Sequence, residues 1–286
     1  MIKTILVPST GDDRDSSTFN TALAVARAFS AHLDFLHVRI DPADIAVALS
    51  TDIGGGMIPA SFIDQLEEEA AQREDKARKS FQVLCEREHV MIGGSPGNAN
   101  AVSAEWHREI GVMADWIGEY GRTSDLVVTG RSADMGGAGR EALESALLET
   151  GRPLLIPGPK ETAFETVAIA WKSTREAARA VSCAVPFLAR AKRIVILTVA
   201  ESGGAEGESG VRLSAAVCRH NAATEARQLQ PGSLGTADAL LAAASEVTAD
   251  LLVMGGYSHS RLRELVLGGV TEHVLRQANL PVLMVH

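Results

Sequence analysis

Two α/β domains in tandem, each a parallel sheet between layers of helices, are what this sequence predicts. Three observations lead there. The chain of 286 residues repeats its own apolar segments. Those segments alternate with stretches of helical periodicity. A turn-rich stretch, Pro157-Gly158-Pro159-Lys160, stands near the middle and suits a linker. The length agrees, since a domain takes roughly 100 to 200 residues.

The repeat organises everything else. Thr123-Ser124-Asp125-Leu126-Val127-Val128-Thr129-Gly130 resembles Thr248-Ala249-Asp250-Leu251-Leu252-Val253-Met254-Gly255. Each is followed by an apolar run opened by proline, Pro153-Leu154-Leu155-Ile156 and Pro281-Val282-Leu283-Met284-Val285. Each half also opens alike, with Thr4-Ile5-Leu6-Val7-Pro8 and Thr166-Val167-Ala168-Ile169-Ala170.

Taken in order, the strands fall at 2–8, 33–39, 101–108, 125–130 and 153–157, then at 165–171, 193–199, 223–229, 250–255 and 281–285. Between the first two, Phe19, Leu23, Ala26 and Phe29 keep helix spacing, and Glu176-Ala177-Ala178-Arg179-Ala180 does so in the second half. Apolar strands with helices on either side suit five-stranded parallel sheets, covered on both faces and joined by right-handed crossovers. Val38 to Asp125 is 87 residues, but Val199 to Asp250 only 51, so the first half carries an insertion within about 41–90. It holds Gly54-Gly55-Gly56, which suggests a mobile lid over the first crevice. A charged helix from Phe62 to Arg87 follows, with Glu69–Arg73 and Glu74–Arg78 at i,i+4. The domains are expected at 1–158 and 163–286.

Composition excludes several classes. Hydrophobic residues are 46% and charged residues 22%, too apolar for disorder. No run of 18 apolar residues is present, so no membrane span is expected. Asp plus Glu is 36 against 27 Lys plus Arg, and a net charge of −9 repels a phosphate backbone, which excludes general nucleic-acid binding. Cys85, Cys183 and Cys218 are far apart and read as free thiols of a reducing compartment. The start, MIKTILVPST, has no secretory-signal pattern, so a cytoplasmic protein is expected.

In open parallel sheets, ligands bind outside the carboxyl ends of the strands. Those ends follow Pro8, Val38 and Gly130, and Ala170, Val199 and Gly255. Gly255 lets backbone approach a ligand, and Gly268-Gly269 before Val270-Thr271-Glu272 suits a helix start with free amides at its positive end. Arg261 and Arg263 can add charge-assisted bonds to phosphate.

The stretch Val253-Met254-Gly255-Gly256-Tyr257-Ser258-His259-Ser260-Arg261, running on to Leu267-Gly268-Gly269-Val270, resembles the last third of a universal stress protein, whose loop reads G-x2-G-x9-G-[ST]. The repeated Asp-Leu-Val-Val strands and Pro-Val-Leu endings are similar to that family too, so the chain looks like a tandem member. The resemblance implies Rossmann-like domains of the adenine-nucleotide-binding type, with ATP and Mg in the C-terminal half. The site residues it implies are Ala170, Lys172, Val199, Met254, Gly255, Ser258, Gly268, Gly269 and Val270. It also implies that the fifth strands pair within the chain, with a homodimer as a further option. Departures stand at Ser258, in place of the second glycine, and at Gly269, in place of the hydroxyl residue. Lys172 stands where ATP-binding members carry an acid.

The first half departs further. Pro8-Ser9-Thr10 lacks the acid, and the second-glycine position is Ala133. Depending on the register, Leu143 and Glu144 or Arg140 and Glu141 stand where a Gly-Ser pair would open the helix. A degenerate site is expected there.

Other motifs are better explained without chemistry. Gly256-Tyr257-Ser258-His259-Ser260 lacks the last glycine of a nucleophile elbow. The eight histidines form no metal-ligand spacing, so no metal ligands and no catalytic residues are assigned. Trp171 is read as core or interface. The leading reading is a stress regulator that binds an adenine nucleotide through its C-terminal half. The alternative is an adaptor for unnamed protein partners that binds no nucleotide. A slow ATPase ranks last, because no general base is placed.

Overall fold

The computed structural model describes residues 1–12, 15–39, 41, 59–93, 101–131, 138–159, 162–200, 205–230, 235–256 and 269–286. The chain divides into two units, Ile2–Thr150 and Gly151–His286. The first runs β1 (Thr4–Ser9), α1 (Asp15–Phe29), β2 (His32–Arg39), α2 (Ala60–Glu88), β3 (Met91–Ile92), β4 (Ser103–Ile110), α3 (Met113–Thr123), β5 (Leu126–Val128) and α4 (Ala138–Leu148). Its strands lie in the order β3-β4-β2-β1-β5 and are parallel throughout.

The second unit runs β6 (Leu154–Ile156), β7 (Thr166–Ala170), α5 (Arg175–Leu188), β8 (Arg193–Val199), α6 (Ala205–Val217), β9 (Thr224–Leu229), α7 (Thr236–Glu246), β10 (Leu251–Gly255), α8 (Gly269–Gln277) and β11 (Val282–Val285). Its order is β6-β11-β10-β7-β8-β9. All pairs are parallel except β6 with β11, where Ile156 lies opposite Val282. The strand around Leu154, read from sequence as the last of the first half, is thus grouped with the second unit, whose β11 it pairs with.

The central strands are apolar because both faces are covered. Ile5, Leu6 and Val7 in β1, and Leu251, Leu252 and Val253 in β10, are fully buried. Phe19 of α1 meets Phe35 of β2 edge-on at 4.7 Å, and Phe81 of α2 closes on Phe35 at 5.0 Å. In the second unit Phe164 packs on Phe187 of α5 at 5.2 Å. Thr174 caps α5 by accepting from the amide of Ala177. The outer strands are less apolar than the sequence reading supposed. Apart from buried Ala104, β4 (SAEWHREI) and β9 (TEARQL) hold only half-buried and exposed residues, as strands near the edge of a sheet do.

The two Asp residues that open the repeated strands have one structural job. Asp125 Oδ2 accepts from the amides of Lys3 (2.7 Å) and Thr4 (3.1 Å) and ties β5 to the start of β1. Asp250 accepts from the amides of Glu165 and Thr166, both at 2.9 Å, and ties β10 to β7 in the same way.

Candidate functional site

Strand order reverses direction between β7 and β10, so the crevice of the second unit opens at their carboxyl ends. Ala170 lies opposite both Met254 and Leu197, and Gly255 lies opposite Val285. Val199 ends the next strand, opposite Leu229. Met254 and Val199 are buried, and Lys172 is exposed two residues past β7. Helix α8 leads from this end back to β11, so its first residues, Gly269 and Val270, stand at the carboxyl side of the sheet with both exposed. Among the described residues no atom comes within 4 Å of where a Cβ on Gly269 would be. Ser258 and Gly268, like Arg261, Arg263 and the Gly54-Gly55-Gly56 triplet, lie outside the described residues.

Gly255 is required by packing. A Cβ there would stand 2.6 Å from the amide nitrogen of Ala177 and 2.8 Å from the carbonyl carbon of Glu176. The first turn of α5 therefore presses on the end of β10, and the absent side chain makes room for a helix. This brings Glu176, which the sequence reading passed over, to the crevice. Its own backbone amide holds its carboxyl below the usual range against burial, with help from the Thr174 hydroxyl and the charges of Arg175 and His286. The signal was the Thr174 cap, which places residue 176 in the first turn of a helix at a strand end. Trp171, just beyond β7, is half-buried and donates its indole N–H to Ser209 of α6 at 3.1 Å.

The matching crevice of the first unit is closed by its own chain. Asp15, the first residue of α1, is 6% exposed. Its carboxylate accepts from Ser9 Oγ (2.9 Å), the Thr10 hydroxyl and amide (both 3.0 Å) and the Gly11 amide (2.8 Å). A carboxylate thus occupies the donors that leave β1, where an incoming anion would need them. Gly11, at φ +76°, has no space for a side chain against the Arg73 carbonyl of α2, so the inserted helix covers the same turn. His37 donates from Nδ1 to the Ser9 carbonyl (2.9 Å) and is buried, a packing role. Gly130 follows β5 as Gly255 ends β10, and among the described residues only the Thr18 hydroxyl comes within 4 Å of where a Cβ on it would stand, at 2.9 Å.

Among the described residues no helix is long and apolar enough to cross a membrane, and all three cysteines are free. Comparison with known proteins agrees with the architecture. A solved universal stress protein from Archaeoglobus fulgidus DSM 4304 matches with a TM-score of 0.67 at 16% identity, covering 99% of this chain and 95% of that one. A candidate universal stress protein from Pseudomonas aeruginosa UCBPP-PA14 matches with a TM-score of 0.55, also at 16% identity, over 99% and 93%. In sequence, 34 residues are 56% identical to universal stress protein Slr1230 of Synechocystis sp. PCC 6803, a stretch that spans only 12% of either protein. The sequence model of the universal stress protein family matches residues 163–286. That match lies within the second unit and spans β7 to β11, so this unit is similar in sequence to the universal stress protein family.

Proposed function

We propose that the second unit binds an adenine nucleotide, ATP with Mg, and that the chain acts as a stress regulator whose conformation or partner affinity follows nucleotide occupancy. The observation that carries this reading is the start of α8 at Gly269, on the carboxyl side of the sheet, which no other described residue covers. Free amides at the positive end of a helix hold phosphate without any side-chain chemistry. In this reading Ala170, Val199 and Met254 flank the nucleoside, Lys172 approaches the phosphates, and Ser258, Gly268, Gly269 and Val270 supply amides. Glu176 offers an acceptor beside Gly255, of the kind that suits a ribose hydroxyl and stands in for the acid missing at position 172.

A nucleotide that binds only the folded protein stabilises it by about 2.7 kcal/mol at ~100 times its dissociation constant. Melting with and without Mg-ATP therefore tests the reading, with Gly268→Val as the comparison. A rise in melting temperature that this substitution abolishes supports it. No rise at millimolar nucleotide sinks it, and so does mass spectrometry of freshly purified protein whose melting is unmoved and which releases no nucleotide.

A second reading, an adaptor that binds no nucleotide, is favoured by one feature. The ionised Glu176 lies against Gly255 and repels a phosphate placed too close to β10. Partners that stay bound after Gly268→Val would distinguish it. Hydrolysis ranks below both, at most as a slow activity, since no general base has been placed.

A further inference from the structure

A second cluster stands far along the first sheet from the Asp15 crevice. Strands β2 and β4 pair with His32 opposite Ser103, Asp34 opposite Glu105 and Leu36 opposite His107. Side chains two apart on a strand share a face, so His32, Asp34, Ser103, Glu105 and His107 all project to one side of the sheet. The ligand atoms of His32, Asp34 and Glu105 lie within 4.8 Å of one another. Their surroundings orient them. His32 Nδ1 is hydrogen-bonded to Ser103 Oγ at 2.7 Å, which turns its Nε2 toward Asp34 Oδ1 at 3.4 Å. His107 Nε2 donates to the same Asp34 oxygen at 2.8 Å. Glu105 is exposed, which gives an ion a path in.

The local charge is negative. Tyr120 of α3 donates to Glu109 Oε1 at 2.6 Å, and its hydroxyl is pushed up to about 12 by burial, by Glu109 and by the charges of Asp34 and Glu105. An imidazole and two carboxylates, fixed on adjacent strands and backed by a hydroxyl and a second imidazole, make a nitrogen–oxygen donor set suited to borderline metals.

We propose that His32, Asp34 and Glu105 bind a divalent transition-metal ion of the Zn2+ class on the first unit, with Ser103 and His107 as positioning residues. Three protein ligands leave a coordination position for water. Sequence spacing hid the site, because the donors come from strands about 70 residues apart.

The test is titration of the full-length, chelator-treated chain with ZnCl2 against a chromophoric competitor. One equivalent per chain should bind. Glu105→Gln, an exposed change that leaves the fold alone, and His32→Ala should each abolish that binding. Ser103→Ala should weaken it roughly tenfold or more, the usual effect of losing an outer-shell partner. Cys218→Ser, which removes the exposed thiol, should change nothing. X-ray absorption should show only nitrogen and oxygen neighbours at about 2.0–2.2 Å. The proposal is overturned by absence of an equivalent at micromolar zinc, by binding that survives Glu105→Gln, or by a sulfur neighbour at about 2.3 Å.

Discussion

The two units carry the same frame and finish it differently. In each, an Asp at the start of one strand clamps two amides of its neighbour. In each, a glycine at the far end of that strand or just past it faces the unit's first helix after β1 or β7, Gly130 toward Thr18 of α1 and Gly255 against α5. At the crevice they part. The first unit fills the donors leaving β1 with its own Asp15 carboxylate, while the second caps α5, after β7, with a neutral Thr174, and among the described residues nothing comes within 4 Å of where a Cβ on Gly269 would stand. The same backbone clamps thus recur in both units, whereas the side chain at the start of the first helix differs, a carboxylate at Asp15 and a hydroxyl at Thr174.

That comparison breaks if the clamps are unequal. Asp125→Ala and Asp250→Ala each strip two amides of a charged partner, and bonds to charged groups contribute about 1.5–3 kcal/mol. Both should cost about 3 kcal/mol in urea unfolding, each in its own unit, and a near-zero cost for either would show that its clamp is idle. Asp15→Ala should cost about 2 kcal/mol, since it orphans donors around a buried carboxylate. It is expected to destabilise only the first unit, which hydrogen exchange can localise.

The glycines sharpen the contrast. Gly255→Ala forces a Cβ into the backbone of Glu176 and Ala177, and overpacking of this kind costs about 1–3 kcal/mol. Among the described residues Gly130→Ala meets only a hydroxyl that can turn away, so its cost should be well below that of Gly255→Ala in the same denaturation experiment. Equal costs would mean that the two helix contacts are alike after all.

The smallest expected effect concerns pH. The folded-state pKa of Glu176 is depressed, so its contribution is present above the ordinary glutamate value of about 4.3 and is lost as pH falls through the folded value. Glu176→Gln should flatten the acid limb of the melting-temperature profile of the second unit below about pH 4.3. An unchanged limb would show that the carboxylate gains nothing from its helix start.

Much of the fold was legible because its signals are local. Asp125 and Asp250, the proline-led runs at 153 and 281, and the apolar cores of β1 and β10 mark strands through composition alone. The outer strands were less legible, since β4 and β9 carry charges that pair across strands, as Arg193 does with Glu225 at 2.6 Å. The site was harder. Gly255 reads in sequence as a ligand contact, yet its neighbour is the α5 backbone, a fact set by tertiary approach rather than spacing. Asp15 carries no motif either, because its partners at Ser9, Thr10 and Gly11 matter only once the turn has closed around it.

The indole of Trp171 adds a practical dividend. It is the second unit's sole tryptophan, one residue beyond the end of β7, and its N–H is held by Ser209. Replacing Trp106 and Trp116 by phenylalanine would leave a chain whose emission comes from this position alone. Any ligand that disturbs the end of β7 or the start of α6 would then announce itself as a change in wavelength or quenching, read in real time without a label.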